Sequence, residues 1–256
     1  DEILDSDIQL ESKTFEMLYS AHNTYAIGHG TAVDWTENGK KIFSETIPLV
    51  KQKDITPDII NSETGELFDI TMLELSEGKD YEKIEELLTQ YEKWINNLTK
   101  DISKKDYFYS DVAKNNMEKA NESLQRMRRG LDLIKGDEKI GEAFKLANKA
   151  MYDQQTRPAN KRLIINNESL KDREFSEKYK ENEIGSRTPT WRPFQLGFIL
   201  LNIEPLVNEE SEYRDCVDLL WFPTGGGKTE AYLGLTAFNL FYRRLMNPDD
   251  SGTAVI

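Results

Sequence analysis

The sequence predicts a mainly helical α/β chain. It has a small β-rich N-terminal module, a long antiparallel helical hairpin, and the truncated start of a lobe built on a parallel sheet. Three observations predict this. An Asn38-Gly39 turn separates two apolar runs within residues 23–75. Between 79 and 135 two series of apolar residues step by three and four without a miss. Near the end an apolar run enters Pro223-Thr224-Gly225-Gly226-Gly227-Lys228-Thr229, and a long apolar helical pattern follows. The chain parses into the module (1–76), the hairpin (77–135), a helix and linker (136–188) and the opening of the lobe (189–256).

Bulk properties narrow the function classes. At 256 residues one or two domains are expected. No apolar run reaches the length of about 18 residues that a membrane helix requires, so no membrane partner is expected. No secretory signal is present, and the single cysteine, Cys216, allows neither an internal disulfide nor a cysteine-built metal site. A cytoplasmic location fits, with Cys216 as a small core residue. The net charge of −13 argues against a surface that binds nucleic acid throughout, while leaving room for a local basic groove. The chain starts at Asp1 and ends on the strand-like Thr253-Ala254-Val255-Ile256, so both ends are expected to be cuts in a longer protein.

In the first module, Phe15, Leu18, Tyr19 and His22 follow helical spacing. Thr24 to Trp35 is strand-like, with Gly28-His29-Gly30 inside it. Asn38-Gly39 is the strongest short hairpin signal, and a second strand is expected through Ile42, Phe43, Ile47 and Leu49. Thr64-Gly65 predicts a further turn before a strand at Leu67–Ile70. Gly28-His29-Gly30 reads as a bulged strand rather than a metal site, because the chain has only two histidines and no ligand cluster.

In the hairpin, Tyr81, Ile84, Leu88, Tyr91, Ile95, Leu98 and Ile102 form one stripe. Ala113, Met117, Ala120, Leu124, Met127, Leu131 and Ile134 form the other. The short polar link between them makes the helices antiparallel. Arg126, Arg128 and Arg129 read as cations favoured near a helix end, with nucleic-acid contact as the alternative.

A third amphipathic helix uses Ile140, Ala143, Phe144, Ala147 and Met151, and Pro158 is expected to end it. Residues 166–188 are mostly charged and read as a linker. An apolar helix then opens near Pro193. A strand is expected over Asp218–Phe222, followed by the glycine loop and a helix over 228–246 that is apolar nearly all round and so buried. Thr253–Ile256 would be the next parallel strand.

The glycine loop carries the chemistry. Gly225, Gly226 and Gly227 can take positive φ and let backbone N–H groups close on phosphate oxygens. The helix opening at Lys228 points the positive end of its dipole at the same anion. The Lys228 ammonium suits the β/γ-phosphates and makes it the candidate catalytic residue, and the Thr229 hydroxyl suits Mg²⁺. Pro223, Thr224 and Glu230 complete the nucleotide-binding set, Glu230 as an acid favourable in the first helical turn rather than as a base. Upstream, Arg192-Pro193-Phe194-Gln195 opens a helix. A Gln amide has one acceptor and two donors, which match the adenine N6–N7 edge, and Trp191 or Phe194 could pack on the base. The alternative is that Gln195 caps the helix and Phe194 sits in the core.

Phe222 stands where the general phosphate-loop pattern has glycine, but Pro223-Thr224-Gly225-Gly226-Gly227-Lys228-Thr229 matches the form found in superfamily 2 helicases. With Gln195 upstream, the chain resembles that superfamily. The stretches Trp191–Leu200 and Asp218–Leu235, together with Tyr25–Gly30, Trp35, Ala143–Met151 and Gln154, resemble the large helicases of the DISARM anti-phage defence system, the DrmA type. The resemblance implies a RecA-like ATPase lobe and an ATP-dependent DNA helicase or translocase. Its cofactors would be ATP and Mg²⁺. Its partners would be DNA, met mostly through the missing part of the chain, and other defence proteins. Walker B and arginine-finger residues would lie outside this chain, leaving it alone with little hydrolysis. Two other readings stay open: a P-loop ATPase that remodels protein without unwinding, and a non-catalytic docking module for partner subunits.

Overall fold

The computed structural model describes residues 2–20, 23–47, 56, 58–104, 108–166, 188–222 and 225–249. His22, Leu49, Pro223, Thr224, the linker over 167–187 and the strand expected at 253–256 lie outside the described residues. Among the described residues there are seven helices and four short strands, and every strand pair is antiparallel. Two compact units share the chain. One comprises Asp1–Ile55 and Asn96–Lys119, the other Thr56–Ile95 and Ala120–Ile256.

In the first unit, α1 (Glu2–Tyr19) leaves Ile8, Phe15 and Leu18 exposed. β1 (Ala32–Trp35) pairs with β2 (Ile42–Glu45), Ala32 opposite Glu45 and Trp35 opposite Ile42. The Asn-Gly turn closes this hairpin as expected. Asn38 Oδ1 accepts the Lys40 N–H at 3.1 Å, and Gly39 takes φ 67°. β1 starts later than predicted. Gly28 leaves no room for a side chain beside the Thr31 carbonyl, and Gly30 has φ 76°, so Gly28-His29-Gly30 is a tight turn before the strand rather than a bulge within it.

The second unit holds the rest. Residues 60–67 close on a bridge between Ile60 and Leu67. Buried Asn61 organises this turn: its Oδ1 accepts the N–H groups of Glu63 and Thr64 and the Gln90 Nε2–H, and its Nδ2 donates to Glu86 on the same helix as Gln90. β3 (Ile70–Thr71) pairs not with its sequence neighbours but with β4 (Thr190–Trp191), Ile70 opposite Trp191. Thr71 caps the short α2 (Met72–Ser76) by accepting the Glu74 N–H at 3.1 Å.

α3 (Tyr81–Lys104) and α4 (Ser110–Gly136) form the expected stripes. Ile84, Leu88, Leu124, Met127, Leu131 and Ile134 are all buried. Within this unit Glu85 pairs with Lys135, and Glu92 with Arg128 at 2.6 Å. Those two pairings run in opposite directions along the helices, which makes them antiparallel. α4 continues to Gly136, so Arg126–Arg129 lie too far from its end for the dipole reading, whose effect is confined to the last turn.

α5 (Glu138–Asn166) starts where Asp137 Oδ1 accepts the Lys139 and Ile140 N–H groups. It runs through Pro158 instead of stopping there, because good helix formers on both sides offset one lost hydrogen bond. α5 packs against α2 and the last helix. α6 (Pro193–Val207) buries Leu196, Leu200 and Ile203 completely. It crosses α4 closely: a Cβ on Gly130 would lie within 3.0 Å of the Leu200 carbonyl.

α7 (Lys228–Met246) begins and ends where predicted. It is not buried all round. Ala231, Gly234 and Phe238 are covered, whereas Leu240 is 43% exposed. The expected strand before the loop is an unpaired stretch, since a strand needs a neighbouring backbone and the described residues supply none here. Cys216 is exposed rather than in the core.

Candidate nucleotide site

The site is built where α6 and α7 begin. Gly225 and Gly227 hold φ 83° and 91°, the left-handed region that glycine enters without cost. Gly227 is the N-cap of α7, so the loop feeds directly into a 19-residue helix whose first N–H groups have no partner in the helix. Such an end favours an anion.

Residues at the start of α6 hold this loop by its carbonyl oxygens. Gln195 Nε2 donates to the Gly227 carbonyl at 2.6 Å, and Arg192 Nη1 donates to the Gly226 carbonyl. Gln195 Oε1 accepts the Arg192 N–H at 2.9 Å. The Gln195 amide is thus engaged at both ends, and the side chain is 4% exposed. As in the capping alternative, Gln195 caps α6, and it also ties α6 to the loop; these bonds leave its second Nε2 hydrogen and second Oε1 lone pair unused. A Cβ on Gly227 would lie 2.6 Å from Gln195 Nε2 and 3.2 Å from Glu230 Oε2, so only glycine lets the three groups converge.

Lys228 folds back to donate to the Phe222 carbonyl. Thr229 is exposed on the first turn of α7, beside half-buried Glu230. Phe222, the departure from the general loop pattern, stacks on Phe194 with ring centroids 4.3 Å apart and 4° between the planes. That contact explains an aromatic at 222 and engages Phe194. Trp191 is engaged too. It is buried, donates from Nε1 to Asn148 Oδ1 at 2.6 Å, and packs its six-membered ring over Gly234. Trp191 is thus spent in the core, and one face of the half-buried Phe194 ring is taken by Phe222.

The stretch leading to the loop is anchored from α4. Arg126 makes a bidentate pair with Asp218, at 2.8 and 2.5 Å. The Asp218 carboxylate, through this hydrogen bond, raises the Arg126 pKa above its ordinary value. The Tyr213 ring lies under both Arg126 and Arg129, 4.4 and 5.4 Å from the guanidinium carbons. Arg128 pairs with Glu92. Arg126 is therefore used inside the fold, Arg128 is paired at its edge, and Arg129 lies exposed beside Tyr213.

Past Asp218 the backbone alternates. Asp218, Leu220 and Phe222 are partly buried, while Val217, Leu219 and Trp221 are 92%, 86% and 73% exposed. A cavity of about 340 Å³ opens beside the loop, with Thr190, Arg192, Gly225, Glu230, Gln155 and Asp58 in its wall. Sequence reasoning missed Asn148, Gln155 and Asp58. Asn148 gave one signal, a polar residue inside an apolar helical stripe. Asp58 and Gln155 reach the loop only through tertiary structure. Among the described residues no helix is long and apolar enough to cross a membrane.

No family model matches the chain. It is 39% identical over 243 residues to the DISARM protein DrmA of Bacillus paralicheniformis. That alignment takes in 90% of this chain and 20% of DrmA, so the two are related and the chain spans a fifth of its relative's length.

Proposed function

We propose that this chain is the ATP-holding part of a DrmA-like, superfamily 2-type DNA helicase or translocase that acts with partner defence proteins against phage DNA. The single observation that carries the nucleotide reading is the convergence at Gly227. Two left-handed glycines, a 19-residue helix opening at Lys228, and a carbonyl clamp from Arg192 and Gln195 meet at one point. The donor set fits a phosphate group. The Gly226 and Gly227 carbonyls are held by Arg192 and Gln195, and N–H groups at such a glycine turn suit an anion. In this reading Gly225–Gly227 and Lys228 hold the phosphates, Thr229 holds Mg²⁺, and Gln195 keeps the loop in shape. Pro223 and Thr224 belong to the same loop. ATP supplies a transferable γ-phosphoryl group, and the chain's own residues bind and orient it.

The lobe is proposed to be RecA-like. The alternation over Val217–Phe222 supports this, because one face of that stretch packs inward and the other carries three exposed apolar side chains at strand spacing. In a parallel sheet this stretch would pair along its edges, and helices of the lobe would cover that face. DNA engagement and defence partners are proposed from the relation to DrmA.

The test is nucleotide binding by the chain, measured by calorimetry. Lys228→Ala removes a charge-assisted contact and is expected to weaken ATP by about 10–100-fold with an unchanged unfolding midpoint. Equal ATP affinity in the two proteins would sink the nucleotide reading.

A further inference from the structure

α1 carries apolar side chains on two sides, and the fold covers one of them. Leu10, Thr14 and Met17 follow i, i+4, i+7 spacing and are half-buried, with Thr14 Oγ1 donating to the Leu10 carbonyl at 2.8 Å. Further round the helix, Ile8, Phe15 and Leu18 are 59%, 61% and 61% exposed. With Glu11 among them they are spaced i, i+3, i+7, i+10, the spacing at which one helix packs along another. Single exposed apolar residues are ordinary on a protein surface, whereas a continuous stripe of large ones marks an interaction site.

Glu11 decides what fits on that stripe. It is exposed and lies one turn from Ile8 and one turn from Phe15, inside the seam. Covered by an apolar helix, its carboxylate would be desolvated without a partner, so the covering helix must bring a cation. α1 supplies none there. Its one base, Lys13, is off the seam, against the acids Glu2, Asp5, Asp7, Glu11 and Glu16. A second copy of α1 would therefore set Glu11 against Glu11 in a parallel pair, and would offer no Lys or Arg at a seam position in either orientation. The same acids repel an anionic lipid surface and a nucleic-acid backbone. What complements the stripe is an amphipathic helix with basic residues along its apolar face.

We infer that α1 is a docking helix, on which Ile8, Phe15 and Leu18 receive an amphipathic helix of a partner protein that places Lys or Arg opposite Glu11. The apolar residues supply the buried area, and Glu11 supplies the choice of partner. An apolar residue at 11 would accept any apolar helix, including a second copy, whereas a carboxylate penalises every helix that lacks the cation. The inference uses no residue of the glycine loop and stands apart from the nucleotide reading.

The experiment titrates the 256-residue chain into two labelled synthetic amphipathic peptides and follows fluorescence anisotropy. The peptides are identical except at one seam position, which holds Lys in the first and Glu in the second. The unmodified chain is expected to bind the Lys peptide about tenfold more tightly than the Glu peptide. Glu11→Lys is expected to reverse that order, which a general attraction of basic peptides to a chain of net charge −13 would not do. Phe15→Ser is expected to weaken the Lys peptide by about tenfold or more with an unchanged unfolding midpoint. Binding of neither peptide, or the same order of affinities before and after Glu11→Lys, would overturn the inference. A chain that sediments as a dimer and becomes monomeric in Phe15→Ser would assign the stripe to a second copy and also overturn it. A lowered midpoint in Phe15→Ser would place that ring in the protein's own fold, with the same consequence. None of these outcomes bears on ATP binding or on Lys228→Ala.

Discussion

Arg126 and Asp218, 92 positions apart in sequence, form a bidentate ion pair whose side chains are 8% and 18% exposed. Arg126 Nε is buried and has no hydrogen-bond partner among the described residues. The pair pins the stretch that enters the glycine loop to α4.

Breaking such a pair from one side leaves a buried charge alone. Asp218→Ala is expected to cost about 3 kcal/mol in urea unfolding, whereas the Arg126→Met, Asp218→Leu double variant should lie within about 1 kcal/mol of the parent. The folded pKa of Arg126 is raised by its Asp218 hydrogen bond. Its contribution is therefore fully present below the ordinary arginine value and lost only as pH rises through the higher folded one. Stability should show no step near neutral pH from this group.

Gly130 and Gly136 both lie in α4 but meet different surroundings. A Cβ at 130 would press on the Leu200 carbonyl, while at 136 nothing lies within 4 Å. Helix propensity alone favours alanine at either position by up to about 1 kcal/mol. Gly130→Ala is expected to reverse that sign and lose about 1–3 kcal/mol through overpacking of α4 on α6. Gly136→Ala should be neutral or stabilising. Thermal unfolding of the two variants side by side checks this.

The Trp191–Asn148 hydrogen bond joins β4 to α5 in the core, and Asn148 also donates to the Phe144 carbonyl at 2.8 Å. Asn148→Leu strands a buried indole N–H and is expected to lose about 2 kcal/mol. Adding Trp191→Phe to it should cost less than the sum of the two single changes, because the orphaned donor is then gone.

Gly225 and Gly227 separate backbone strain from crowding. Alanine at either position must hold positive φ, worth about 1–2 kcal/mol. At 225 the added methyl meets open space, and at 227 it meets Gln195 and Glu230. Gly227→Ala is therefore expected to lose both more stability and all measurable thermal protection by ATP. Gly225→Ala should keep a reduced protection.

The order of elements was legible because its signals are local. The three-and-four spacing from Ile84 to Ile134 names the buried stripes of α3 and α4 without reference to anything else. Asn38-Gly39 specifies its own turn, and the glycine run followed by Lys228 specifies where α7 opens. The loop residues of the candidate site were readable for the same reason. The partners were not. Nothing near Arg126 in sequence selects Asp218, since any acid within reach would satisfy a guanidinium. Nothing near Gln195 tells a base-reading amide from one that holds the Gly227 carbonyl. Asp58 and Gln155 reach one cavity wall only because β3 pairs with β4 and α5 packs on α7. The stretch 218–222 keeps the alternation of a strand but has no strand pairing among the described residues, since a strand exists only when another backbone takes its hydrogen bonds. By itself the sequence determined most of the helices, the turns and the glycine loop that opens α7, all set by interactions within a few residues. Tertiary structure alone decided which polar groups are spent on each other and which still face a ligand, because that depends on what packing brings within 3 Å.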